Sequence, residues 1–136
     1  MSRTWKIILF SAIGAFVLCF AGIFGGVFFV IGKATDAPKA ATADFLVALE
    51  GGNTKAAYDM LCTDARERYD SAAFAAFVQK NAPTAHDFSW GGSYSNDNGH
   101  ETATISGTIT TKSGKIKHDF ELVKENGSWK QCGNPY

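Results

Sequence analysis

Between Lys6 and Lys33 the chain carries no charged side chain, and this interval constrains the protein more than any other feature. Ile7–Ile31 is a run of 25 uncharged residues, which as a helix would be about 37 Å long. A hydrocarbon core is about 30 Å thick, so such a helix crosses it with some tilt. All 13 acidic residues of the 136-residue chain lie beyond the run. Trp5 and Lys6 precede it as an interfacial aromatic and a cation. Arg3, Lys6 and the amino group predict a cytoplasmic N-terminus, which Lys33 and Lys39 weaken without reversing. The alternative is a cleaved signal peptide, but its apolar core would be only about 7–15 residues. Residues 1–32 are therefore expected to be a retained transmembrane anchor in the inner (cytoplasmic) membrane, with the rest of the chain periplasmic.

The anchor carries a second pattern. Ser11, Ala15, Cys19, Gly22 and Gly26 are spaced by three or four residues and fall on one narrow arc of a helix. Phe16, Phe20, Phe24 and Phe28 repeat every four residues on the other side. A stripe of small side chains lets a second membrane helix approach closely, and Gly22-x-x-x-Gly26 is its minimal form. The alternative is the ordinary abundance of Gly and Ala in membrane helices. The stripe predicts integral membrane protein partners, docked through this helix.

Residues 33–39 read as a short polar linker, and residues 40–136 as one extracytoplasmic domain. Phe45, Leu46 and Leu49 at helical spacing predict a helix over 40–50, stopped by Gly51-Gly52. Asn53 or Thr54 caps a second helix through Leu61. Thr63–Tyr69 adds a further turn, and Ser71 opens a third helix that ends before Pro83. The period then becomes two. Four strand-like runs follow: Ala85–Ser95, His100–Thr111, Lys115–Lys124 and Ser128–Cys132. They are parted by Asn96-Asp97-Asn98-Gly99, Ser113-Gly114 and the hairpin signal Asn126-Gly127. The expected class is α+β: one N-terminal transmembrane helix, then about three helices packed on a curved four-stranded antiparallel sheet.

The run Ala43-Asp44-Phe45-Leu46, with Gly52-Asn53-Thr54-Lys55-Ala56-Ala57-Tyr58 and Leu61, resembles the helical opening of small nuclear-transport-factor-2-like domains. Gly107, Phe120-Glu121-Leu122-Val123-Lys124-Glu125-Asn126-Gly127 and Trp129-Lys130 resemble the closing strands of the same group. The resemblance covers roughly residues 38–132 and rests on hydrophobic and turn positions. It implies a cone, a curved sheet wrapped over helices with a pocket at the wide end. Membrane-anchored members facing outside the cytoplasm are the most similar. The fold serves enzymes and binding modules alike.

Chemistry-bearing residues are few. Cys62 and Cys132 are the only cysteines outside the anchor, and an oxidising compartment would bridge them, pinning the second helix to the last strand. Two unpaired thiols are the alternative. His118 stands between Ile116 and Phe120 on the apolar strand face, where it lines a pocket or is a satisfied core histidine. No His or Cys pair has ligand spacing, so no metal is expected. Aligned as a calcium loop, Asn96–Gly99 puts Tyr94 and Ile105 where carboxylates are needed, so it fails. Ketosteroid isomerase shares the architecture that the resemblance implies, and its chemistry needs an Asp base with a Tyr and a protonated Asp. Tyr58, Tyr69 and Asp64 supply those types. The alternating charges Asp64, Arg66, Glu67, Arg68 and Asp70 read instead as a solvated, salt-bridged surface.

The balance of 13 basic against 13 acidic residues excludes a mainly electrostatic grip on nucleic acid. The leading expectation is a non-enzymatic accessory subunit of a larger membrane-protein complex, respiratory or another envelope assembly, with no catalytic residue and no cofactor. The alternative is a binding module holding a small apolar ligand in an aromatic pocket of Phe45, Tyr58, Phe74, Phe77, Trp90, His118 and Phe120. A pocket enzyme of isomerase or dehydratase type is the third reading.

Overall fold

The computed structural model describes residues 35–136. The anchor, its small-residue stripe Ser11, Ala15, Cys19, Gly22 and Gly26, and its orientation lie outside the described residues. Among these residues no helix is long and apolar enough to cross a membrane.

Four helices pack against a curled antiparallel sheet, an α+β cone. The helices are α1 (residues 35–50), α2 (Thr54–Asp59), α3 (Thr63–Arg68) and α4 (Ser71–Lys80). The strands are β1 (Pro83–Asp97), β2 (His100–Thr111), β3 (Gly114–Glu125) and β4 (Ser128–Gln131), and the sheet order follows the chain. Residues 35–39, expected to be linker, are helical. Their polar composition disguises what they bury: Pro38 is wholly enclosed, and its carbonyl accepts from the Thr42 hydroxyl at 3.0 Å. Thr42 in turn accepts from Gln131 Nε2 at 3.0 Å, which joins α1 to β4 through buried, satisfied polar groups.

Local chemistry sets the other boundaries. Asn53 and Asp70 cap α2 and α4 by accepting from the main-chain N–H of Ala56 and Ala73. The turn residues Asn98 and Gly99, and Asn126 and Gly127, all take positive φ, as two-residue turns of matching twist require. β2 buries Ala103, Ile105, Ile109 and Thr111 on one face, so the expected period of two holds along it. β1 departs from simple alternation. Between the pairs Phe88–Gly107 and Gly92–Ile105 its register shifts, a bulge that keeps Phe88, Gly92 and Tyr94 on one face.

Phe45, Phe74, Phe120, Leu46, Leu49, Leu61, Ile109 and Leu122 form the largest part of the core, each less than 2% exposed. Withdrawing side chains of this size from water contributes about 1.5–3 kcal/mol apiece. Gly107 is a required close approach. A Cβ there would lie 3.2 Å from the Asp87 carbonyl and 3.3 Å from Phe88, so the Phe88 ring occupies the room that a side chain would take.

Candidate functional site

The aromatic pocket is a correction. Phe45, Phe74 and Phe120 are at most 1% exposed, so no water-sized space adjoins them. The rings meet one another instead: Phe45 and Phe74 centroids lie 6.5 Å apart, Tyr58 and Phe74 5.7 Å. These side chains fill the cone. Phe77 packs on Tyr136 at 5.2 Å, and Trp90 belongs to the β1 backbone between Phe88 and Gly92. His118 is half-buried, edge-on to Phe120 at 4.7 Å, with Nε2 3.0 Å from the Asn134 carbonyl. It also lines a shallow cleft with Ser106, Gly107, Thr108, Lys117 and Asp119, so it has a partner and borders open space as well.

Residues 133–136 explain much of this closure, and sequence reasoning missed them. Pro135 is buried and Tyr136 covers Phe77. Asn134 bridges two elements, its carbonyl facing His118 and its side-chain oxygen accepting from the Tyr69 hydroxyl at 3.2 Å. These four residues carry no periodicity, and the only signal was an apolar Pro135-Tyr136 pair beside a polar tail.

The three residues offered for isomerase chemistry do not converge. The Tyr58 hydroxyl donates to the Tyr69 carbonyl at 3.1 Å, and the Tyr69 hydroxyl donates to Asn134. Asp64 lies apart from both, in a cleft of about 710 Å³ with Glu67, Arg68, Glu121 and Cys132. The alternating charges of α3 are also used differently than expected. Arg66 Nε donates to the Leu61 carbonyl at 3.1 Å, and Arg68 donates to that of Cys132.

Cys62 and Cys132 form a disulfide across a separation of 70 residues, with Cα atoms 5.1 Å apart. Main-chain bonds reinforce it. Cys62 N–H donates to the Gln131 carbonyl at 2.8 Å, Gln131 N–H to Met60 at 3.0 Å, and Cys132 N–H to Glu121 at 2.8 Å. The segment between α2 and α3 thus pairs with β4 as a fragment of extra strand, through the Leu61–Gln131 bridge.

At the opposite reach of β1 a second cluster gathers. The Tyr94 and Trp129 rings are 6.2 Å apart although β1 and β4 stand at opposite edges of the sheet. Flat strands would separate them by about 14 Å, so curl and long side chains together close the sheet here. Lys124 Nζ lies 3.1 Å from Glu101 Oε1 and 5.8 Å from the Trp129 ring centroid, while the Tyr94 hydroxyl donates to Glu101 Oε2 at 3.1 Å.

Comparison with known proteins agrees with this architecture. No family model matches the chain, and no curated protein matches it in sequence. Among solved structures, a Campylobacter jejuni protein described as a "Putative NTF2-like transpeptidase" superposes with a TM-score of 0.52 at 12% identity, covering 73% of this chain and 100% of the other. A DUF4783 family protein from Bacteroides ovatus gives a TM-score of 0.46 at 15% identity, covering 64% of this chain and 84% of that one. The domain has the NTF2-like fold, where NTF2 is nuclear transport factor 2.

Proposed function

We propose that this chain is a single-pass protein of the inner membrane, a non-enzymatic accessory subunit of a larger membrane-protein complex, with its NTF2-like domain on the periplasmic side. The observation that carries the reading is the Cys62–Cys132 bridge, a covalent link that persists in oxidising compartments and is rare in the cytosol. It belongs to a domain preceded by 25 uncharged residues, enough for a membrane span. The small-residue stripe on that span supports a protein partner. Within the domain, Phe45, Phe74 and Phe120 pack into the core and the Tyr58 and Tyr69 hydroxyls are engaged by neighbours, which supports a scaffold over a ligand pocket. The cleft holding Asp64, Glu67 and Glu121 favours a ligand-binding or enzymatic alternative.

Two measurements test the reading together. A reporter active only outside the cytoplasm, fused after Tyr136, is expected to be active. Extraction in mild detergent followed by mass spectrometry is expected to recover an integral membrane protein in fixed ratio to this chain. A reporter active only in the cytoplasm, or a chain that purifies alone, overturns the proposal.

A further inference from the structure

The two halves of the disulfide are not equally open. Cys62 is wholly buried, whereas Cys132 is half-buried and lines the cleft of about 710 Å³ beside α3. Thiol–disulfide exchange needs a thiolate to attack one sulfur and expel the other, and access decides which sulfur is attacked. The path from solvent runs through this cleft to Cys132. Cys62 is then the leaving partner. Its Sγ already accepts from the Ala65 N–H at 3.4 Å, and a donor aimed at a sulfur favours negative charge on it. The Glu125 carboxylate, which accepts from the Thr63 N–H at 3.1 Å, acts in the opposite sense.

The approach to Cys132 is acidic. Asp64, Glu67 and Glu121 line the cleft, and Arg68 is the basic side chain among them. Three carboxylates against one guanidinium leave an excess of two negative charges. None of the three carboxylates is held in an ion pair among the described residues. Arg68 donates to the Cys132 carbonyl. Glu121 lies against the next residue, its Oε2 3.4 Å from where a Gly133 Cβ would stand. A thiolate entering here brings its own negative charge, so the charge on the rest of that molecule decides how readily it arrives.

We propose that Cys132 Sγ is a thiol-exchange site, and that the carboxylates of its cleft admit cationic thiols ahead of anionic ones. The incoming thiolate bonds to Cys132 Sγ and the Cys62–Cys132 bond breaks. Its electron pair leaves on Cys62 Sγ, which takes a proton from water. A second thiolate then displaces Cys132, so two thiols are oxidised to one disulfide as the bridge is reduced. The main-chain bonds from Cys62 to Gln131 and from Gln131 to Met60 do not involve the sulfurs. They keep Cys62 beside Cys132, which favours reclosure of the bridge once thiol is withdrawn. This site goes beyond the accessory-subunit reading and holds for any partner of the chain.

The full chain in mild detergent, without denaturant, tests this with three small thiols: cationic cysteamine, neutral mercaptoethanol and anionic mercaptoethanesulfonate. Loss of the bridge is followed by acid quench and mass spectrometry. Each rate is divided by that of the same thiol on a small neutral disulfide, which removes differences in thiolate fraction and nucleophilicity. The rate is expected to rise in proportion to thiol concentration, with the earliest adducts on Cys132. The normalised rate is expected to fall about threefold at each step from cationic to neutral to anionic thiol. Glu67→Gln combined with Glu121→Gln, folded by circular dichroism, is expected to shrink that spread, and so is high salt. Adducts on Cys62, or a rate that levels off with thiol because the chain must first unfold, overturn the exchange site. Equal normalised rates for the three thiols overturn the charge selection. A spread that survives in the double variant overturns the role of the carboxylates.

Discussion

Tyr136 places a hydroxyl where nothing answers it. The ring packs on Phe77, the oxygen is buried, and it has no hydrogen-bond partner. Burial therefore disfavours the phenolate and pushes the pKa up to about 12. The unfolded chain ionises this group near the ordinary value of about 10, so it releases its proton first. Between those two values the unfolded state binds fewer protons, and stability falls as pH rises. Tyr136→Phe removes both the orphaned oxygen and the titration. The variant is expected to be at least as stable as the parent at pH 8, since an unpaired buried polar group costs about 1–3 kcal/mol. Its advantage is expected to widen from about pH 10 to pH 12, read as the difference in urea midpoints. A constant difference across that range would place the phenol in solvent. The apolar Pro135-Tyr136 pair was a faint signal in the sequence, masked because Gly133 and Asn134 before it read as a loose tail.

Elements were legible where one period ran unbroken. β2 alternates from Ala103 to Thr111 without a fault, and the two-residue turn that pairs Thr111 with Gly114 sets the register of β3. That register puts Glu101 beside Lys124, one row beyond the Thr102–Val123 pair, so their ion pair could have been read from the turn alone. Tyr94 beside Trp129 could not, because the contact depends on sheet curl. The bulge after Phe88 was hidden for a related reason: an extra pair of residues preserves parity, so the alternation of Phe88 and Tyr94 looks regular. The filled interior was equally silent, since a ring that lines a cavity and a ring that fills it occupy the same inward positions. The covalent tie between elements was legible from the cysteine count and the expected compartment. β4 has only four residues, held by β3 on one side and by the strand fragment at Leu61 on the other. The bridge closes a loop of 70 residues, for which the chain-entropy account gives about 4 kcal/mol. Cys132→Ser is expected to lower stability by about 2–5 kcal/mol, and reductant is expected to bring the parent to the same melting temperature. A parent unmoved by reductant would mean that the thiols are not bridged.

At the scale of the whole molecule, a domain with a filled interior acts through its surface and through whatever holds it in place. On the proposed reading of residues 7–31 as an anchor helix, Ser11, Ala15, Cys19, Gly22 and Gly26 share one face, and the proposal puts the protein contact there. Replacing Gly22 or Gly26 by Leu adds bulk where the proposed contact brings two backbones together, and such overpacking costs about 1–3 kcal/mol. Facing lipid, the same change is nearly neutral, because fluid acyl chains rearrange around a leucine. Phe20→Leu and Phe24→Leu provide the opposite control on the other side of the helix. Retention of the chain in its complex after gentle solubilisation is the quantity to compare. Gly22→Leu and Gly26→Leu are expected to release it, and the two Phe variants to retain it. Equal retention in all four would reduce the stripe to the ordinary composition of membrane helices. The reverse pattern would place the partner on the aromatic side.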